Sequence, residues 1–164
     1  MTDVRKVFVA GLRDAYAMEK QAKDMMESQA NRLQDYPEMQ SRAAEHVRET
    51  EMQLDRLRQC LEMIGESPST IKELGTRAMA AIQSMASAVS TDEPIKETLS
   101  GYAFEHFEIA SYRSLIELAK QLGELRMVPL LEESLREEQR MAGWVDDHIE
   151  SITQEFTAKA SASA

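Results

Sequence analysis

Five glutamates and one histidine stand where the helical period of this chain puts core residues, and together they have the chemistry of a metal site. Over 101–122, steps of four and three residues run through Gly101, Glu105, Glu108, Tyr112, Leu115, Ala119 and Leu122. That stripe is the seam by which a helix packs in a bundle. Its second half is apolar, yet Glu105 and Glu108 lie on it. Glu19 interrupts the series Val4, Phe8, Leu12, Ala15, Ala22, Met26, Gln29, Leu33 in the same way. Glu138 interrupts Leu131, Leu135, Ala142, Val145, Ile149, Ile152. His46 and Glu49, three residues apart, share one face of a further amphipathic stretch.

An ionised carboxylate in an apolar interior costs on the order of several kcal/mol unless it is paired or binds a metal. Any single glutamate near a seam is ordinarily solvated, but four stretches each contribute one here. Five carboxylates and an imidazole at one level would raise one another's pKa. Two divalent cations nearly balance them, which is the physical case for a dinuclear site. Oxygen-rich ligation with one imidazole suits iron or manganese better than zinc. Tyr16, Tyr112 and Gln53 are spaced to hydrogen-bond the ligand carboxylates or simply to pack. Glu137 is the fallback ligand if the register of its stretch is one residue off. The Glu132, Glu133, Glu137 group otherwise reads as a solvated face, and Cys60 as a small buried hydrophobe.

Helices of sufficient length must position these groups. Thr2 or Asp3 can cap a first helix that runs to about Leu33, where Asp35-Tyr36-Pro37 breaks it. A second runs from about Glu38 to Ile64 and stops at Gly65. A shorter amphipathic piece, Ser69 to Val89, has no carboxylate on its apolar face and reads as a connector. The Thr91-Asp92-Glu93-Pro94 start opens a third long helix, closed by Gly123. The last long helix begins between Leu125 and Pro129 and runs to about Phe156. Two short turns and one long connection describe a four-helix bundle with a crossover. Counted from the shared turns, Glu19 and Glu49 differ in height by ~3 Å, and Glu108 and Glu138 by about one turn. The heights agree.

The bulk numbers suit this. The 164 residues fit one domain, read as 1–157 with a flexible tail at 158–164. Hydrophobic residues at 43% beside 29% charged make a globular composition, and 5% aromatics with few Gly and Pro favour long helices. A net charge of −10 argues against nucleic acid and anionic membranes as partners. The single cysteine and the acidic first helix point to a cytoplasmic, reducing setting. No apolar run approaches membrane-spanning length.

The segments DAYAMEKQ (14–21), HVRETEMQL (46–54), EHFEIASYRSLIELAKQLG (105–123) and LEESLREEQ (131–139) resemble the YciE/YciF family of ferritin-like stress proteins, in order and over nearly the whole chain. The resemblance implies a ferritin-like all-α fold, a di-iron site in the bundle, homodimers and a role in bacterial stress responses. On that reading Glu19, His46, Glu49, Glu105, Glu108 and Glu138 hold two iron (or manganese) ions that react with O2 or peroxide. The rival reading is a structural or interaction stress protein with a vestigial site. Many di-metal bundles carry Glu-x-x-His on two helices. Here one helix has His46-x-x-Glu49 in reversed order, and another has Glu105-x-x-Glu108. A single core imidazole argues against rubrerythrin-like peroxidase chemistry.

Overall fold

The computed structural model describes residues 3–30, 33–67 and 93–162. Its helices are α1 (Val4–Ala30), α2 (Pro37–Met63), α3 (Glu93–Leu122) and α4 (Val128–Ala162), and the described residues contain no strand. The expected connecting helix, Ser69 to Val89, lies outside the described residues.

Local chemistry sets most of the helix ends. Asp3 Oδ1 accepts the backbone N–H groups of Arg5 (3.0 Å) and Lys6 (3.4 Å), capping α1. Leu33, expected as the end of α1, is not helical; it is buried in a small cluster with Tyr36, Met39 and Ile152. Pro37, read as a breaker, is also the first residue of α2, where its fixed φ suits the helix and no donor is lost. α2 and α3 both stop at a glycine with positive φ, Gly65 at 74° and Gly123 at 75°. The N–H groups of Glu66 and Glu124 reach back to the carbonyls of Leu61 and Ala119, both at 2.9 Å, closing the two ends alike.

α4 runs six residues past Phe156 and takes in 158–162, expected as tail. The physical reason is Lys159. Its ammonium pairs with Glu155 at 2.6 Å, lies 4.0 Å above the Tyr36 ring and donates to the Asp35 carbonyl. These contacts tie the last turns of α4 to the α1–α2 turn.

α1 packs on α2, α3 on α4, α1 on α3 and α2 on α4. Arg5 reaches the Ile64 carbonyl (3.4 Å) and Glu124 (3.9 Å), so the start of α1, the end of α2 and the α3–α4 turn share one end of the bundle. α2 and α3 therefore run parallel, and the end of α2 and the start of α3 lie at opposite ends of the bundle, ~40 Å apart for 27 helical residues. Phe8, Leu12, Leu57, Leu61, Leu115 and Leu131 pack among the four helices. Gly11 brings α1 and α3 close, since a Cβ there would sit 3.0 Å from Leu115 Cδ2. Within this core lies a belt of buried polar residues.

Candidate metal centre

Each helix contributes to the belt by the periodicity that makes the core. On α3, Glu105 and Glu108 are buried on the stripe that continues as Tyr112, Leu115 and Ala119. α2 brings His46, α4 brings Glu138 and α1 brings Glu19, and all of these are buried. One ligand atom each from His46, Glu105, Glu108 and Glu138 lies within 4.8 Å of the others. His46 Nε2 is 3.3 Å from Glu105 Oε2 and 3.5 Å from Glu138 Oε2. Glu105 Oε2, Glu108 Oε1 and Glu138 Oε2 are buried without a hydrogen-bond partner. Three orphaned carboxylate oxygens aimed at an imidazole nitrogen form a set that a divalent cation satisfies and protein groups do not.

The other sequence-derived residues divide by position. Glu19 stands beside the group, its Oε1 accepting the Tyr112 hydroxyl at 2.6 Å. Gln53 Nε2 donates to Glu138 Oε1. Tyr112 and Gln53 thus hydrogen-bond two carboxylates of the belt. Tyr16 does not join them: its hydroxyl pairs with Arg58 on the α1–α2 flank. Three residues apart, Tyr16 and Glu19 differ by about 60° round the helix, and the Arg58 contact draws Tyr16 toward α2.

Glu49 also stands apart from the four. Its Oε2 is 2.9 Å from His46 Nδ1, on the far side of the ring from Nε2. Arg42 (3.2 Å) and Arg140 (3.3 Å) hold it there, near the surface. Arg42 is two turns before Glu49 on the same face, a readable signal; Arg140 comes from α4 and has none. Glu137, expected on a solvated face, is buried in a two-pronged pair with Arg56 at 2.6 and 2.7 Å. His106 is exposed against Tyr102, and His148 stacks on Trp144 and faces Glu38, both outside the group. Cys60 is buried as expected, and burial pushes its thiol up to about 12.

The electrostatics express the missing counter-charge. Burial pushes Glu19 and Glu108 well above the usual carboxylate range, and the negative charge of Glu138 adds to this. Burial likewise lifts Glu105 to about 8, against the pull of His46. Burial would lower His46, but the negative charge of Glu105 prevails and raises it. For Glu138 burial is outweighed by His46, leaving it below the usual range. Glu49 resists its own partial burial through His46 and Arg42, and falls to about 2.

An apolar cavity and an open, polar groove flank the group. The cavity, about 60 Å³, lies in the bundle against Glu105 and is lined mainly by Met, Ala and aromatic side chains. The groove, an open space of about 760 Å³ between α2 and α4, is lined by Arg42, Glu49 and Arg140. Trp144 borders both. No helix among the described residues is long and apolar enough to cross a membrane.

Known proteins bear on this arrangement. The chain is 33% identical over 144 residues to Protein YciF of Escherichia coli K12, covering 84% of this chain and 85% of that one. The crystal structure of that E. coli stress protein superposes with a TM-score of 0.79 at 29% identity over 94% of this chain and 99% of its own. A crystal structure from Xanthomonas campestris pv. campestris gives 0.82 at 36% identity over 97% and 99% of the two chains. Desulfovibrio desulfuricans bacterioferritin, a di-iron protein, gives 0.72 at 21% identity over 96% and 88%, which establishes a shared ferritin-like fold. Residues 3–158 match the family described as Domain of unknown function (DUF892), and the chain belongs to that family, with YciF as a homologue.

Proposed function

We propose that this protein binds two iron ions in its bundle and lets them react with O2 or peroxide, in the setting of a stress response. The observation that carries the reading is the set of three orphaned carboxylate oxygens around His46 Nε2. His46, Glu105, Glu108 and Glu138 would hold one ion, and Glu19, the buried carboxylate beside them, would help to hold a second. Glu49 holds the His46 ring through Nδ1 and leaves Nε2 as the ligand atom. Bound ferrous ions supply one electron each, enough together to reduce O2 to hydrogen peroxide or hydrogen peroxide to water. The chain's own part is to fix ligand geometry, to keep the site dry and to place a proton carrier, Tyr112, on Glu19. Manganese fits the same donors. The homodimer implied by the resemblance has a face available at the α1–α3 groove, where Val7 and Phe107 are 43% and 41% exposed.

The test is metal analysis of anaerobically loaded protein followed by rapid-mixing absorbance with O2 and with peroxide. Two ions per chain and an oxidation transient are expected. A chain that takes up no iron or manganese overturns the reading, and uptake without any transient reduces it to a structural metal site.

A further inference from the structure

We propose that the cavity beside Glu105 is a pocket for dioxygen, which makes O2 rather than peroxide the oxidant that enters the bundle from this side. The inference deepens the proposed function and rests on it. The space, about 60 Å³, holds only a few non-hydrogen atoms, since an apolar cavity of ~150 Å³ takes benzene or xenon. Ala22, Ala43, Phe104, Met141 and Val145 make its wall largely hydrocarbon and thioether. Thr98 also lines it, but its hydroxyl donates to the Pro94 carbonyl at 2.7 Å. Two carboxylates touch the space: Glu97, one turn before Gly101, and Glu105, a member of the cation group. A molecule in the cavity is therefore in contact with a metal ligand.

Chemistry selects among small oxidants. Hydrogen peroxide carries two O–H donors and a hydration shell, and apart from Glu97 and Glu105 most of the wall offers those donors no acceptor. Dioxygen has no hydrogen bond to lose and accumulates in apolar space. Polar reactants have a separate open space, the groove lined by Arg42, Glu49 and Arg140, whose Glu49 contacts His46 Nδ1. Trp144 stands between the two. Gly101 gives the cavity a second distinctive feature. Glycine in a helix interior is destabilising relative to alanine. Yet Gly101 lies inside α3 and lines the cavity, and a Cβ there would meet no atom within 4 Å. The cavity wall therefore lacks a side chain at this position.

The probe is xenon, pressurised into crystals of the metal-free full chain, for the wild type and for Gly101→Leu and Ala43→Leu separately. Xenon is expected beside Glu105 in the wild type and absent from both variants. In the iron-loaded chain, each variant is expected to react about tenfold more slowly with O2, equivalent to ~1.4 kcal/mol, and within about twofold of wild type with peroxide. An O2 rate unchanged in both variants, or equal slowing with both oxidants, overturns the proposal. A chain that takes iron but holds no xenon loses the dioxygen pocket alone. A chain that holds xenon but takes no metal loses the metal centre and, with it, the delivery role.

Discussion

At His46 the two ring nitrogens have different neighbours and different tasks. Nδ1 meets Glu49 at 2.9 Å, and Nε2 faces Glu105 and Glu138. The neutral ring then carries its proton on Nδ1, and its lone pair on Nε2 points into the carboxylate group. Partners of this kind are worth about 10–100-fold in metal affinity. Glu49→Gln is therefore expected to weaken ferrous or manganous binding by that factor and to retain the binding stoichiometry. Glu138→Gln, which removes a ligand charge, is expected to lower the stoichiometry itself. Anaerobic titration against a chromophoric chelator distinguishes the two outcomes. The belt glutamates were legible because each breaks an apolar series at helical spacing. Glu49 as a partner of the ring was legible only in part, because Arg140, which shares the hold on it with Arg42, lies 91 residues away on another helix. The burial of Glu137 was hidden for the same reason: Arg56, which neutralises it, lies 81 residues away.

Helix starts and stops are set by a few residues with fixed backbone preferences. Gly65 and Gly123 end α2 and α3 in a left-handed conformation that an L side chain enters at a cost of about 1–2 kcal/mol. Gly123→Ala has open space around its new Cβ, so the backbone cost stands alone. The expected result is a melting temperature lower by about 2–8 °C with unchanged metal stoichiometry, read by thermal unfolding and metal analysis. These two stops, and the Pro94 start, could be read from the chain. The end of α4 could not, because it is held by Lys159 on the α1–α2 turn, a contact between residues 124 apart. Alanine-rich and small polar sequence alone does not distinguish a packed last turn from a frayed one.

For the whole molecule, the buried carboxylates make stability depend on pH in a direction opposite to ordinary acid denaturation. Glu105 titrates near 8 in the folded chain and near 4.5 when unfolded, so between those values the folded chain holds a proton the unfolded chain has released. Stability conferred by that proton is present below about pH 4.5 and is lost as pH rises toward 8, by up to ~1.4 kcal/mol per pH unit. Glu19 and Glu108, both raised, act in the same sense, as does His46 above its ordinary 6.5. Glu49 and Glu138, both lowered, act oppositely, adding stability above about 4.5 that is lost as pH falls. The metal-free chain is expected to melt at progressively lower temperature from pH 5 to pH 8. Bound manganese should remove the decline, with a stabilisation that grows with pH because binding releases the trapped protons. A metal-free melting temperature that is flat or rises over this range would contradict the account. The four-helix plan with its crossover followed from long amphipathic stretches and few breakers. The cavity and the groove did not, because empty space is a property of packed helices and has no sequence period.

Trp144 is the only tryptophan in the chain, and it borders the apolar cavity on one side and the open groove on the other, stacked 4.2 Å from the His148 ring. The molecule thus carries its one indole fluorophore at the boundary between its two compartments. Its emission colour and lifetime register what enters either one, a heavy gas atom from inside or a polar solute from outside, without any label. The partition wall is also an optical gauge.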